Sequence, residues 1–312
     1  IYNHCLKTAY FPNPWKRSIL IPIIKPGKEV SNEASKYRPI SLINVGGKLL
    51  EKLLIDRINP HIHSNGTINN NQYGFLPQKC TVDAALAAKE FISNNLQQKK
   101  SVIMVSLDVK GAFDAAWWPS VLNNLRDIRC PKNLYDLTRD YLHDRVASIQ
   151  INNYRVERTA TKGCPQGSCC SPGLWNIMYN SLLNLCFSRH TKTIAFADDI
   201  VLLTTGHTPT EAEVYANADL AKIEKWARDN KILFNDSKSK AMLITRKKKP
   251  KQINIYLNNR KLAIVEHIKY LGIHFDHKLS FDNHIDNIAR KSTTLIHMLG
   301  RTAKLTWGLG HK

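Results

Sequence analysis

The sequence predicts an α+β fold. Several separate segments place apolar residues at helical spacing, and short runs of β-branched residues lie between them. The two kinds of segment are mixed without a regular strand–helix–strand repeat, which favours an α+β arrangement over a parallel α/β sheet. The length of 312 residues is enough for one large domain or two smaller ones with a sizeable core.

The first predicted elements are a strand over 17–24 and a helix over 46–58, where leucines recur at helical spacing. Thr81 is a predicted N-cap, because an acidic residue follows two positions later. The β-branched run over 101–108 predicts a buried strand that ends on the carboxylate of Asp108. The remaining predictions are helices over 81–98, 118–127, 132–143, 172–187, 210–228 and 282–299, strands over 231–234 and 241–245, and hairpins that turn at Asn152-Asn153, Asp198-Asp199 and Asn258-Asn259.

The chain is strongly basic. It has 45 Lys and Arg residues against 25 Asp and Glu residues, a formal net charge of +20. This surplus is far more than solubility requires, and nucleic acid is the default polyanionic partner for such a protein. A basic protein without a polyanionic partner is the alternative at this point.

The cysteines favour a reducing compartment. There are seven of them and no pair spaced as CxxC, which argues against a disulfide scaffold or a zinc module. No apolar run reaches transmembrane length, and no signal peptide opens the chain. Because the sequence begins at Ile1 rather than Met, we expect it to be a piece of a longer protein.

Two adjacent carboxylates, Asp198 and Asp199, interrupt an apolar stretch at the turn of a predicted hairpin. Asp is common in turns, so a solvated turn is one interpretation, with Asp108 as a helix cap. If the strand that ends at Asp108 is a neighbour of the hairpin, three carboxylates converge. Two unit charges about 4 Å apart repel by roughly 4 kcal/mol at an effective dielectric of 20, so such a cluster requires protons or cations.

Oxygen ligands without a neighbouring set of His or Cys favour Mg²⁺ or Mn²⁺ over zinc. Two such ions about 3.5–4 Å apart can stabilise both the attacking and the leaving oxygen of a phosphoryl transfer. The aspartates alone leave both interpretations open, the solvated turn and the metal site.

Further motifs bear on this choice. In chain order they are Tyr37-Arg38-Pro39-Ile40-Ser41-Leu42, Gln72-Tyr73-Gly74-Phe75, 107–114, 163–168, Phe196-Ala197-Asp198-Asp199, Asn235-Asp236-Ser237-Lys238 and Tyr270-Leu271-Gly272. Their combination and order resemble the reverse transcriptase of non-LTR (LINE-type) retrotransposons, in particular the jockey/I-like branch of arthropods. The resemblance covers about residues 12–300.

The resemblance implies a right-hand polymerase with fingers, a palm of antiparallel sheet and a thumb. Asp108, Asp198 and Asp199 match the catalytic acids of the family. Asp108 and Asp198 would hold two Mg²⁺ ions, with Mn²⁺ as a substitute, and Asp199 would have a smaller direct role. Asp114 is expected to cap the helix that follows the first acid.

Two further positions match parts of the nucleotide site. Phe113 matches the steric gate, an aromatic ring that leaves no room for a 2′-hydroxyl, although a core phenylalanine is the alternative. Gln166 matches the loop that contacts the incoming nucleotide and the templating strand, although a plain helix-entry loop is the alternative. One position departs from the family: Ser171 stands where most relatives carry glycine, which would strain the turn if its φ were positive.

The remaining matches lie on either side of these motifs. Arg38 matches a fingers residue that grips the triphosphate, or else forms a surface ion pair. Lys238 matches the lysine near the leaving pyrophosphate, where an ammonium can donate a proton or screen charge, or else is solvated. The hairpin of Tyr270, Leu271 and Gly272 matches the primer grip, and strand packing alone is the alternative for its first two residues.

The resemblance predicts an RNA-directed DNA polymerase that extends a DNA 3′-hydroxyl on an RNA template. Its partners would be the RNA template, the DNA primer or target, and dNTPs, with no membrane involved. Residues 7–277 would form the reverse transcriptase domain, and 278–312 the helical start of the thumb. An endonuclease would precede the chain and an RNA-binding region would follow it, and the protein would be intracellular and act in the nucleus.

Alternatives to this prediction come from two classes. One is a decayed copy that binds nucleic acid without catalysis, and the other is a group II intron or telomerase-type reverse transcriptase. The short spacing of the motifs and the phenylalanine at position 196 favour the LINE-type enzyme, because the other two usually carry tyrosine there. The basic run 246–251 is interpreted as a loop near the template, a nuclear-import signal or a solvated loop.

Overall fold

Helices and strands follow one another irregularly in this computed structural model, which describes residues 1–27, 29–63, 68–247 and 252–302. The helices are α1 (Tyr2–Thr8), α2 (Val45–His63), α3 (Thr81–Gln97), α4 (Ala112–Ala115), α5 (Trp118–Asp127), α6 (Lys132–Leu142), α7 (Ser171–Leu183), α8 (Pro209–Asp229) and α9 (Asp282–Thr302). The strands are β1 (Arg17–Ile24), β2 (Tyr37–Ile43), β3 (Ser101–Leu107), β4 (Val146–Ile151), β5 (Tyr154–Thr159), β6 (Thr191–Phe196), β7 (Asp199–Gly206), β8 (Lys240–Ile244), β9 (Tyr256–Leu257), β10 (Arg260–Lys261), β11 (Ala263–Ile264), β12 (His267–Tyr270) and β13 (Ile273–Asp276).

A sheet with the order β11-β8-β3-β7-β6 forms the centre of the chain. Its inner strand pairs are antiparallel, and only the short β11 joins in parallel. Along β3, Val102 and Met104 face one apolar cluster while Ile103 and Val105 face another. Helix α3 packs on the first side and α8 on the second, which explains why β3 is apolar at nearly every position.

A second sheet has the order β2-β1-β4-β5. Its strands β1 and β2 precede the central strand β3 in sequence, and β4 and β5 follow it. Its strands β1 and β2 form an antiparallel pair, and β4 adds to β1 in parallel. Ile40 of β2 also forms a bridge with Gln166, and the backbone N–H of Ser41 donates to the Gln166 carbonyl over 2.7 Å. The loop that carries Gln166 is therefore fastened to the edge of this sheet.

Several hairpins turn on residues with positive φ. Asn258 and Asn259 both have positive φ (52° and 58°) between β9 and β10, the pattern of a type I′ turn. Leu271 and Gly272 repeat that pattern between β12 and β13, with φ of 49° and 85°. Asn152 has a φ of 54° between β4 and β5. The predicted hairpins at 152–153 and 258–259 are confirmed.

Several predicted boundaries are wrong. The N-cap of α3 is Cys80 rather than Thr81, and the Asp83 carboxylate accepts the Cys80 backbone N–H over 2.7 Å. Residues 231–234 form no strand but a single bridge between Phe234 and Val109. Helix α7 ends at Leu183, four residues earlier than expected.

All seven cysteines lie within the described residues and are free thiols there. None of the helices in the described part of the chain is long and apolar enough to cross a membrane. Of the basic run 246–251, the last four residues lie outside the described residues, as do 303–312 of the expected thumb segment.

Candidate active site

The central sheet brings three aspartates to one of its ends. Residues Leu107 and Ile200 are partners in the β3–β7 register, so Asp108 follows β3 beside the start of β7. Phe196 pairs with Asp199 and leaves a two-residue turn, Ala197-Asp198, between β6 and β7. The turn is thus one residue earlier than predicted: Asp198 lies within it, and Asp199 begins the next strand.

The three carboxylates interact electrostatically. Burial raises the pKa of Asp198, and the negative charge of Asp108 raises it further. Asp199 is exposed as a whole residue, but its carboxyl is largely surrounded by protein, and this burial raises its pKa to about 6. The charges of Asp198 and Asp108 contribute to the same rise. The Lys238 ammonium lies 3.9 Å from Oδ2 of Asp108, but its side chain is exposed and offsets little of this repulsion.

The chemistry of these ligands suits a hard divalent cation, since all three offer carboxylate oxygens that repel one another. In the described ranges, however, no three side chains of His, Cys, Asp or Glu already lie close enough together to hold a metal ion. Mg²⁺ is usually held by only one or two carboxylates, with waters and substrate phosphates as its other ligands. Burial raises the pKa of Asp199 most, and a bound cation would relieve the added repulsion from Asp198 and Asp108.

The segment before α3 that contains Gln72 and Gly74 contacts the Ala197-Asp198 turn. The Gln72 side chain is buried, and its Oε1 accepts the backbone N–H groups of Gly74 (2.9 Å) and Ala197 (3.1 Å). A Cβ added to Gly74 would collide with the backbone of Ala197, lying 2.8 Å from its Cα. Ala197 itself has a φ of 58°, which is uncommon for a residue with a side chain. The glutamine and glycine therefore hold the turn in a strained conformation.

Phe113 is the second ring in a row of aromatic side chains that begins at Phe75. Its ring centroid lies 6.0 Å from that of Phe75 and 5.4 Å from that of Trp175. The row continues through Tyr179, stacked 5.1 Å from Trp175, to Trp226. The charges of Asp198 and Asp199 raise the pKa of Tyr179 in addition to its burial, so the row passes close to the acids. Phe113 is half-buried and leans on the core without being part of its interior.

The loop that carries Gln166 has two conformational requirements. Gly167 has a φ of 114°, and a Cβ there would lie 2.9 Å from the Ser41 carbonyl oxygen, so the close approach of this glycine is to the protein's own backbone. Ser171 is the first residue of α7, has no positive φ, and donates from its hydroxyl to the Pro165 carbonyl over 2.8 Å. The strain expected from serine at this position is therefore absent.

Asp114 does not cap a helix. The N-cap of α4 is Gly111, which has no side chain to accept a hydrogen bond. Burial raises the pKa of the Asp114 carboxyl, and the neighbouring Gln166 side chain acts on it in the opposite direction. The expected cap is wrong because Asp114 is already the third residue of α4, and the residue at the N-cap is the left-handed Gly111.

The other predicted site residues, Arg38 and the Tyr270-Leu271-Gly272 hairpin, lie on different elements from the three acids. Arg38 lies exposed on β2, opposite Ile23, and makes no ion pair within the described ranges. Tyr270 is buried, its hydroxyl 3.5 Å from the Ile194 carbonyl, and the charge of Asp199 adds to the burial that raises its pKa. Leu271 and Gly272 form the tip of the β12–β13 hairpin.

This chain matches the family model described as reverse transcriptase (RNA-dependent DNA polymerase) over residues 23–275. The chain belongs to the reverse transcriptase family. The polymerase from the mobile element jockey of Drosophila melanogaster is 26% identical over 313 residues, and a 115 kDa protein in the type-1 retrotransposable element R1DM of the same fly is 28% identical over 310. These relatives confirm the prediction that the chain resembles the reverse transcriptase of non-LTR retrotransposons.

The match to the jockey polymerase covers 98% of this reverse transcriptase chain, and the match to the R1DM protein covers 99% of it. The chain spans only about a third of the length of these relatives, 33% of the first and 29% of the second. Among solved structures, apo telomerase from Candida tropicalis, truncated of its C-terminal domain, matches with a TM-score of 0.59 at 12% identity, over 90% of this chain and 58% of that one. At this identity the likeness shows a shared polymerase-like fold.

Replacement of Gly74 by alanine should remove polymerase activity or folding, because the new methyl group collides with the backbone under the Ala197-Asp198 turn. The measurement is thermal unfolding together with primer extension. The control is Gly300→Ala, at a helical position where a Cβ meets nothing within 4 Å. A Gly74→Ala protein as stable and active as wild type would show that the contact is unimportant.

The Asp199 carboxyl should titrate with a pKa of about 6 in the absence of divalent cations, and Asp108→Asn should lower this value by removing one of the repelling charges. Carboxyl ¹³C NMR in the presence of EDTA measures it. Because the folded pKa lies above the ordinary 3.8, this group stabilises the fold below about pH 4 and loses that contribution as the pH rises through about 6.

Asp286→Asn, an exposed substitution on α9, is the control and should leave the Asp199 titration unchanged. An Asp199 pKa near 3.8 in the wild-type protein would show that the three acids do not interact as described.

Proposed function

We propose that the chain is the catalytic part of an RNA-directed DNA polymerase from a non-LTR retrotransposon. The observation that carries this proposal is the convergence of Asp108, Asp198 and Asp199 at one end of the central sheet, in a chain of the reverse transcriptase family. The reaction would join the primer 3′-oxygen to the α-phosphorus of a dNTP, break the bond between the α- and β-phosphates and release pyrophosphate.

The three acids would hold divalent cations, Mg²⁺ or in its place Mn²⁺, with Asp108 and Asp198 as the main ligands and Asp199 in support. Bound there, the cations supply positive charge that stabilises the attacking and leaving oxygens. The protein's own contribution is to hold the carboxylates near one another. The Gln72–Gly74 contacts serve this purpose, because they fix the backbone on which Asp198 sits.

The residues around the acids would position the nucleotide. Phe113 would lie against the sugar, and its contacts with Phe75 and Trp175 keep the ring from moving aside. Gln166 would contact the base pair being formed. Lys238, 3.9 Å from Asp108, is close enough to the acids to screen or protonate the leaving pyrophosphate, and Arg38 would grip the triphosphate after a movement of the β1–β2 sheet.

The hairpin of β12 and β13 would act as the primer grip. Because the Tyr270 side chain is buried, its role there is to anchor the hairpin, and the exposed Gly272 at the tip is left to approach the primer backbone. In this assignment the β1–β2–β4–β5 sheet belongs to the fingers and the central sheet to the palm. Residues 7–277 form the polymerase domain, and 278–312 begin the thumb.

The partners would be an RNA template, a DNA primer or target and dNTPs. The relatives are about three times as long as this chain, which leaves room in the full protein for an endonuclease and an RNA-binding region. The site of action would be intracellular, in the nucleus. The net charge of +20 predicts binding that weakens steeply with salt, by roughly 10³–10⁵ between 50 and 200 mM for about 6–10 phosphate contacts.

Extension of a DNA primer on an RNA template with Mg²⁺ tests the proposal. Wild-type protein should extend the primer, and Asp198→Ala should reduce the rate by several orders of magnitude, since it removes a carboxylate from the convergent group. Asp286→Ala on α9 is the matched control and should be as active as wild type. Template binding without extension by the wild-type protein would favour a decayed, binding-only copy.

Phe113→Val should allow incorporation of ribonucleotides, because the smaller side chain leaves room for the 2′-hydroxyl. The measurement is the ratio of kcat/KM for dNTP and rNTP. Phe91→Val is the control, since Phe91 is half-buried like Phe113 but packs on the other apolar cluster, beside α3. Equal loss of selectivity in both variants, or none in Phe113→Val, would contradict the assignment.

A further inference from the structure

Helix α2 carries a carboxylate into the interior, where it meets the loop that follows Gln166. Glu51 is fully buried, and one of its carboxylate oxygens accepts the backbone N–H of Cys169 over 2.8 Å. The backbone carbonyl of the same glutamate accepts the thiol of Cys170 over 3.1 Å. One residue of α2 thus contacts two successive loop residues, the first of them 118 positions away in sequence.

The loop carries these contacts back to Gln166 through its own hydrogen bonds. The Pro165 carbonyl accepts both the Ser168 backbone N–H, over 3.1 Å, and the Ser171 hydroxyl, over 2.8 Å. The Ser168 hydroxyl in turn accepts the Cys170 backbone N–H over 3.1 Å. The far end of the loop is therefore tied to the residue directly before Gln166.

On its other side the loop is fastened to β2. The Ser41 backbone N–H donates to the Gln166 carbonyl over 2.7 Å, and a Cβ on Gly167 would lie 2.9 Å from the Ser41 carbonyl oxygen. These contacts hold the main chain at Gln166 itself, and Glu51 holds it three residues later. Side chains that bind a substrate are kept in place by supporting contacts of this kind.

Stability alone does not explain a carboxylate at this position. The second Glu51 oxygen is buried and has no hydrogen-bond partner among the described residues, and no ion pair to Glu51 occurs there. Such a group destabilises a fold relative to a well-packed apolar side chain of similar size. What the carboxylate offers instead is a strong acceptor for a backbone N–H, which an apolar side chain lacks.

We propose that Glu51 is a positioning residue of the polymerase: its carboxylate holds the loop at Cys169, and thereby holds Gln166 in the orientation that binds the incoming nucleotide. This inference rests on the proposed function. It assigns Glu51 no contact with substrate, because the residue is fully buried. The effect of Glu51 on nucleotide binding has to pass through Gln166, which sets it apart from a residue that only stabilises the fold.

Three variants at this position separate the reach of the side chain from its charge. Glu51→Gln keeps the length and an oxygen that can accept the Cys169 N–H. Glu51→Asp keeps the charge but is shorter by a methylene group, and Glu51→Leu has neither the charge nor an acceptor. If the hydrogen bond positions the loop, Glu51→Gln should resemble wild type, while the other two variants share a defect.

The first measurement is the Kd of the correct dNTP for protein bound to an RNA template with a chain-terminated DNA primer, which requires no chemistry. Glu51→Leu and Glu51→Asp should raise this Kd about 10-fold, the lower end of what a hydrogen bond to a charged group contributes. On an extendable primer kcat should change much less, because the three aspartates are untouched. Gln166→Ala should raise the Kd as well, and adding Glu51→Leu to it should have no further effect.

Asp219→Leu is the matched control. Asp219 is a fully buried acid on α8, and its carboxylate accepts the Ser188 backbone N–H with both oxygens at 3.1 Å. Its replacement therefore also takes a buried carboxylate away from a backbone donor. This variant should lower the Tm and leave the Kd of the dNTP unchanged. If Glu51→Leu does not fold, the comparison of Glu51→Asp with Glu51→Gln decides the question.

Hydrogen–deuterium exchange over 163–171 measures the loop directly and needs no activity. Exchange there should rise in Glu51→Leu and Glu51→Asp but not in Asp219→Leu. Unchanged exchange in Glu51→Leu, an unchanged Kd, or an equal rise in Kd in the Gln166→Ala background would each overturn the inference. A wild-type protein that binds dNTP but extends no primer would refute only the polymerase, and primer extension with unchanged loop exchange would refute only the role of Glu51.

Discussion

The register of β3 against β7 is the constraint on which the site depends. Leu107 opposite Ile200 is what puts Asp108 beside the turn that carries Asp198. A slip of one residue would exchange the side chains that face the two apolar clusters, because neighbouring residues of a strand point to opposite faces. Both faces of these strands are buried, so the slip would disturb the packing on α3 and on α8 together. The hydrophobic core thus fixes the position of three charges that repel one another.

The aromatic row extends this rigidity from the acids to the proposed sugar contact. Phe113 packs on Trp175, which stacks on Tyr179, and Tyr179 meets Trp226 edge to face. Helices α4, α7 and α8 are therefore linked by rings that have few alternative rotamers in a close-packed interior. A gate residue has to resist displacement by a substrate only about one oxygen atom larger, and a ring supported in this way can do so.

Local patterns in the sequence predicted much of the fold and the position of the acids. The β-branched run before Asp108 and the paired asparagines at 258–259 give strong local signals, and the structure has the strand and the turn there. The cap of α3 and the end of α7 were misplaced, because neighbouring residues have similar capping and helical preferences. The role of Gln72 was not predictable in this way, because it depends on a contact 125 residues away in sequence.

The contact between Gly74 and Ala197 also limits which codon changes this sequence can accept. Gly74, Gly167 and Gly206 each face a backbone atom that a Cβ would strike, so no other residue fits there without a shift of the main chain. Most random base changes in a glycine codon replace the glycine. These three codons therefore accept only the minority of base changes that are silent, and the main-chain packing alone imposes this limit.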